Sequence, residues 1–260
     1  MTHHAAILGT RRRDTEWFID QLRGVSPGNL RALWLPHPVD TTTNILKPDG
    51  RVWTNSATIQ SRITYQGGGI LVSFNGTDQY ATTPDADDLS FGDGTTDSPF
   101  SVVAQANVTD TAAQRSLLIK RGSGTYEYGF LIGGTDLLTL VLADQSASVF
   151  PSRGSNAAIT MGAIGLFGAS YDGSGGATAA NGITLYENGV VKASTATNNA
   201  SYVAMENLDG LLTLGNDITG ASRLMQGSMG FAAIYAANLT ASQHAQIASI
   251  VREYFKVALA

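Results

Sequence analysis

Hydrolytic chemistry on a glycosidic bond needs two carboxyl groups facing each other, about 5–5.5 Å or 6.5–9.5 Å apart. The chain holds five glutamates, Glu16, Glu127, Glu187, Glu206 and Glu253, scattered along its length. Glu127, between Tyr126 and Tyr128, is the one set among aromatics in an apparent strand. Acidic loops are the next candidate. Asp85, Asp87, Asp88, Asp93 and Asp97 crowd residues 84–99, and Asn216-Asp217 ends a later apolar run. Such oxygen-rich loops suit a hard cation, here calcium at Asp85, Asp87, Asp88 and Asp217. Aspartate also initiates ordinary turns, and no calcium-loop spacing is matched. The histidines His3, His4, His37 and His244 show no metal-ligand spacing, and His244 is expected on the exposed side of a helix. There is no cysteine, no Gly-x-Ser-x-Gly elbow and no phosphate-binding Gly-rich loop.

Binding is the other chemistry in view. Tyr80, Tyr126, Tyr128, Tyr171 and Tyr202 are candidate platforms for a sugar ring, with Tyr186 a further strand tyrosine. The same residues also serve as ordinary strand packing. All three tryptophans precede residue 54. Arg11-Arg12-Arg13 is the one basic cluster in a chain of net charge −5, so general attraction to nucleic acid is not expected.

These residues must be held by β-structure. Only 14% of residues are charged and 29 are glycine, a composition of short strands and many turns. Ile183 to Lys192 carries the sharpest local signal: two β-prone runs around Asn188-Gly189, which predicts a two-residue type I′ hairpin. Strands are expected at Leu30–Leu35, on both sides of residues 75–78, at Phe100–Val108, Leu117–Lys120, Tyr126–Ile132, Leu137–Ala143, Ile164–Tyr171, Leu211–Gly215 and Gly227–Tyr235. Regular spacing with turn signals predicts an all-β, two-sheet antiparallel sandwich rather than a βαβ fold. Ser194–Ser201 reads as a small polar linker. Thr240 with Gln243 forms a capping-box signature before a closing helix whose Ile247, Ile250, Val251, Tyr254 and Phe255 share a face. Residues 1–27 are expected to form an arm and short helix, and 28–260 the sandwich. Trp17, Phe18 and Leu22 lie on one side of that helix and must meet either the main domain or a neighbouring chain. No secretory signal is read at the start, and no stretch is long and apolar enough to span a bilayer.

The ordered motifs resemble a family. Phe74-Asn75-Gly76-Thr77-Asp78-Gln79-Tyr80 is similar to the "F-x-G-x-x-x-Y" motif of concanavalin A-like (laminin-G-like) jelly-roll domains. Leu185-Tyr186-Glu187-Asn188-Gly189-Val190 resembles their "L-Y-x-D/N-G" hairpin, and Leu214-Gly215-Asn216-Asp217 their "L-G" strand end. Gly227 to Tyr235, followed by Leu239-Thr240-Ala241-Ser242-Gln243, resembles their last strand and helix. The likeness covers about residues 29–255. Gly230 departs from it, standing where the family often has an acid. The resemblance implies two curved antiparallel sheets. Its members are mostly glycan or protein binders, sometimes with calcium at loop ends, and glycosidases are a minority. The Glu-x-Asp-x-x-Glu pattern of the laminarinase-type members is absent.

These readings lead to a non-enzymatic binding protein without a required cofactor. By fold-level analogy the expected setting is a phage or virus particle, as a capsid-decoration, head-fibre or tail-associated component assembled in the host cytoplasm. Its partners would be other virion proteins or further copies of the chain, docked through Arg11, Arg12, Arg13, Trp17, Phe18 and Leu22, with surface glycans on the outward loops. The alternatives are a free carbohydrate-binding lectin and, third, a glycoside hydrolase built on Glu127.

Overall fold

The computed structural model describes residues 15–36, 51–55, 63–66, 69–110, 114–217 and 223–260. Two antiparallel sheets face each other. The first runs β13 (Val190–Lys192), β12 (Ile183–Glu187), β11 (Ile164–Tyr171), β6 (Phe100–Val108), β16 (Gln226–Tyr235), β4 (Gly69–Asn75) and β3 (Ile63–Gln66), with β1 (Leu30–Trp34) also paired to β16. The second runs β14 (Ser194–Thr197), β10 (Ser152–Ser155), β9 (Leu138–Leu142), β8 (Thr125–Ile132), β7 (Arg115–Gly122), β15 (Leu211–Leu214), β5 (Ala81–Thr83) and β2 (Thr54–Asn55). Helix α1 (residues 15–25) precedes the sheets and α2 (Ala241–Phe255) follows them.

The central strands of the first sheet are apolar on both faces. Val102, Ala104 and Ala106 of β6 and Ala232 and Ile234 of β16 point between the sheets, where they meet Phe100, Tyr128, Phe130, Leu140 and Leu212. Val103, Phe231, Ala233 and Tyr235 point the other way and are covered by Phe18, Leu22, Ile247, Val251 and Phe255 of the two helices. Phe18 stacks on Tyr254 at 4.3 Å and meets Phe231 and Phe255 edge-on at 5.4 and 5.7 Å. The Tyr235 hydroxyl donates to Leu22 O at 3.0 Å. Phe18 and Leu22 are therefore buried inside their own chain and unavailable to a partner, which corrects the docking role expected of them; Trp17 is partly buried against the same cluster. Arg11, Arg12 and Arg13 lie outside the described residues.

The expected hairpin forms. Asn188 and Gly189 have φ of 57° and 85°, and Glu187 pairs with Val190 across the turn. A Cβ at Gly189 would lie 2.7 Å from Ala248 Cβ, so glycine serves both the turn and the seating of the hairpin on α2. The capping box also forms. Thr240 N–H donates to Gln243 Oε1 at 2.9 Å, and Gln243 N–H to Thr240 Oγ1 at 3.3 Å. The other end of the Gln243 side chain donates to Val25 O at 2.7 Å, tying α2 to α1.

His244 is not on the exposed side of α2. It is 2% exposed, stacked on Tyr186 at 3.7 Å, with Nε2 2.8 Å from Ser170 Oγ. The helical wheel could not show that β12 rises beside that face. Four strands were missed: Thr54–Asn55 and Ile63–Gln66, which are short and lie in or beside a stretch read as turns, and two more in the second sheet. Ser152–Ser155 and the supposed linker at 194–197 pair with each other as β10 and β14, although their sequences are small and polar. The runs flanking residues 75–78 are strands, but they enter different sheets, so that turn is a crossover and not a hairpin.

Two outcomes follow from this packing. Phe18→Ala should lower unfolding free energy by about 3–5 kcal/mol in urea denaturation, as for other buried phenylalanines; a change under 1 kcal/mol would mean that α1 is not part of the core. Burial pushes the His244 imidazole down from 6.5 to about 3. The unfolded chain then takes up the proton first, so stability contributed by neutral His244 is present above pH 6.5 and is lost as pH falls toward 3. The stability advantage of the natural chain over His244→Gln should therefore shrink by ~1.4 kcal/mol per pH unit across that window, and a pH-independent difference would contradict the buried neutral ring.

Candidate functional site

Helices α1 and α2 lie against the first sheet, and among the described residues no α-helix lies on the outer face of the second, where Ile119, Gly129 and Thr213 are nonetheless buried. One rung of paired residues crosses that face: Thr82, Thr213, Ile119, Gly129, Val141, Ser152 and Thr197. Their neighbours Leu212, Leu118, Phe130 and Leu140 point into the core, which fixes the direction of the rung by strand alternation.

A register shift between Lys120/Arg121 and Tyr128/Tyr126 breaks the alternation at the hairpin end of β7 and β8. This bulge turns Tyr126 outward while Lys120 and Tyr128 stay inward. The Tyr126 ring packs on Ile119, Ala143 and Val141, and its hydroxyl stands over Gly129, where no side chain would fit. Phe150, 43% exposed, lies 5.8 Å from it at 32°. The Arg121 guanidinium sits 5.0 Å over the ring. Arg121 and Arg223 converge on Asp217 Oδ2 at 3.5 and 3.3 Å. Asp217 Oδ1 and the Thr213 hydroxyl on the same face are buried without a hydrogen-bond partner. Burial pushes the Tyr126 hydroxyl up to about 12, so it is a neutral donor. The result is an aromatic shelf in which half-exposed Phe150 is the accessible ring and Tyr126, 7% exposed, is its support, beside a guanidinium–carboxylate–guanidinium row.

Two polar clusters lie deeper. Lys120 is fully buried; its ammonium donates to Asp85 Oδ1 at 2.5 Å, to Glu127 Oε1 and to Leu208 O at 2.9 Å. Glu127, 1% exposed, also accepts from Leu208 N–H at 3.2 Å. Burial pushes its carboxyl up to about 7, against the pull of Lys120. In the second cluster, Asp97 accepts from the Tyr171 hydroxyl at 2.6 Å, the Tyr202 hydroxyl at 2.9 Å and Met205 N–H at 2.7 Å. Burial raises the Asp97 carboxyl and these donors partly restore it.

Of the tyrosines picked from sequence, only Tyr126 joins the outer-face cluster. Tyr128 and Tyr171 fill the core between the sheets, and Tyr202 is held on Asp97, so these three offer no ring face to a ligand. Tyr80 is half-buried near the β4–β5 crossover. Their β-strand propensity was real, but it signalled packing.

The acids disperse as well. Asp85 holds Lys120, Asp88 pairs with Arg51, Asp87 accepts from Asn207 Nδ2 at 3.2 Å, and Asp217 is shared by two arginines. Asp93 folds its own loop by accepting from Thr95 and Thr96, which holds its carboxyl far below the usual range. Among the described residues no three His, Asp or Glu side chains gather as a metal site. Sequence reading missed Phe150, Arg121 and Arg223. The arginines had no motif to mark them, since a bulge and a shared aspartate bring them together.

No protein-family model matches the chain, and no curated protein matches it either. Solved structures do. Domain 4 of AbnA, a GH43 extracellular arabinanase from Geobacillus stearothermophilus, in complex with arabinotriose, is 17% identical with a TM-score of 0.58, covering 85% of this chain and 98% of that one. The binding domain of Paraclostridial Mosquitocidal Protein 1 is 11% identical with a TM-score of 0.63, over 85% of this chain and 52% of the other. Trypanosoma rangeli sialidase in complex with sialic acid is 10% identical with a TM-score of 0.58, over 98% of this chain. The chain thus spans about half of the mosquitocidal domain and 40% of the sialidase. At such identities the likeness is one of fold.

Proposed function

We propose that the chain is a non-enzymatic binding protein that takes a glycan on the outer face of its second sheet. The observation that carries this reading is the half-exposed Phe150 ring, backed by buried Tyr126 and set beside the Arg121–Asp217–Arg223 row. A sugar presents an apolar C–H face and a rim of hydroxyls. The first stacks on an aromatic ring, and the second exchanges hydrogen bonds with carboxylate and guanidinium groups. Support from outside the chain comes from two of the structurally similar proteins, which bind arabinotriose and sialic acid in their solved complexes.

Hydrolysis is not part of the proposal. Asp217 is already neutralised by two arginines, and Glu127 is sealed in the core against Lys120. Asp85 is the carboxyl nearest Glu127, but Lys120 sits between the two and Glu127 is 1% exposed, whereas acid–base hydrolysis needs a substrate between its carboxyls. The virus-particle setting rests on composition and on the Arg11–Arg13 arm. Of the docking face assigned to it, Phe18 and Leu22 are covered within the chain.

A glycan array followed by affinity electrophoresis tests the reading. A saturable ligand should be found, and Tyr126→Ala or Arg121→Ala should weaken it at least about tenfold, ~1.4 kcal/mol. Val191→Ser, on the opposite sheet, should leave it unchanged. Full binding by Tyr126→Ala, or no ligand on the array, would refute the site. Chelation with EDTA should alter neither retention nor Tm, because Asp85, Asp87, Asp88 and Asp217 already have protein partners; a lower Tm after chelation would instead mark a calcium site.

A further inference from the structure

We propose that Lys120 and Asp85 are joined by an intramolecular isopeptide bond, formed by the folded chain itself with Glu127 relaying the protons. This claim is independent of the glycan site. It starts from a physical cost. Lys120 has no exposed surface, and a buried ammonium carries a desolvation penalty of roughly several kcal/mol. Condensing the ammonium with a carboxylate replaces two charges by a neutral amide.

The geometry places the reacting groups together. Lys120 Nζ is 2.5 Å from Asp85 Oδ1, and Leu208 O fixes the amine from another side at 2.9 Å. Asp85 lies on the loop after β5, where it can approach the amine, whereas Glu127 is anchored on β8 and held by Leu208 N–H. That division makes Asp85 the acyl donor and Glu127 the relay. A fixed amine and carboxyl held in contact have a high effective concentration, which favours condensation.

The bond-making step balances within the cluster. The Lys120 ammonium gives a proton to the Glu127 carboxylate. Glu127 passes that proton to an Asp85 oxygen, and the free amine attacks Cγ of the resulting carboxylic acid, forming the new N–C bond. The tetrahedral centre collapses with cleavage of the C–OH bond; the departing hydroxyl takes one proton from the nitrogen through Glu127 and leaves as water, and Glu127 ends as the carboxylate it began. One ammonium and one carboxylate become one amide and one water, with no net proton change and no oxidant or cofactor. Burial places Glu127 near the neutral pH at which such a relay is most effective. The amide would tie the loop after β5 to β7 across 35 residues, a covalent staple in a chain without cysteine.

Intact-mass spectrometry of the denatured full-length chain decides the matter. The expected mass is one water below that of the sequence, with a branched proteolytic peptide joining Lys120 to Asp85. Asp85→Ala should restore the sequence mass, and Glu127→Gln, checked for folding by circular dichroism, should accumulate unlinked chain. A natural chain at full sequence mass overturns the proposal, whatever the variants do. So does a lost water that maps to any other pair, Lys120 with Glu127 included. Complete linkage in folded Glu127→Gln would overturn the relay assigned to Glu127.

Discussion

A sheet that is apolar on both faces must be covered twice. β6, β11 and β16 of the first sheet present Val, Ala, Leu, Ile and Phe in both directions, and at roughly 25 cal/mol per Å² neither face can be left to water. The second sheet takes one face. The two helices, from opposite ends of the chain, take the other, meeting around Phe18, Tyr254 and Phe255. With both α-helices on the first sheet, the outer face of the second carries a mixed rung, in which small and polar Thr82, Thr213, Gly129 and Ser152 alternate with Ile119 and Val141.

Polar groups trapped by this arrangement are gathered into networks. Ser101 and Ser170 bond to each other at 2.8 Å and to the carbonyls of Ala237 and Leu239, so the loop entering α2 is held from within the sheet. Asp97 gathers two tyrosine hydroxyls and a backbone N–H at one end of the sandwich. Lys120 gathers three oxygens where residues 85 and 208 cross β7 and β8. Each network ties a loop to the sheets at a place where hydrophobic contact alone would leave backbone groups unpaired. Networks of this kind also explain why so many chemistry-bearing residues of the sequence are structural: they close the sandwich.

The outer-face cluster depends on a single irregularity. Without the β7–β8 bulge, strand alternation would send Tyr126 inward beside Tyr128. Extra residues of this kind re-aim side chains. The same shift leaves Lys120 and Glu127 facing one another inside, so the shelf and the buried ion cluster are two consequences of one break in register.

The sequence alone settled what depends on neighbours in the chain. The Asn188-Gly189 hairpin, the Thr240/Gln243 cap and the apolar strands of both sheets were legible, because turn chemistry and strand alternation act over a few residues. So was the sandwich, from the spacing of strands. The polar pair β10 and β14 escaped, since its pairing is supplied by a neighbour rather than by its own composition. The fates of Tyr128, Tyr171, Tyr202, Phe18 and His244 were decided only in three dimensions, by which face each met. Arg121, Arg223, Phe150 and Tyr126 lie up to 102 residues apart in the chain, and a bulge and one shared aspartate assemble them. No local pattern encodes that convergence, because the forces that bring these groups together act across strands and not along them.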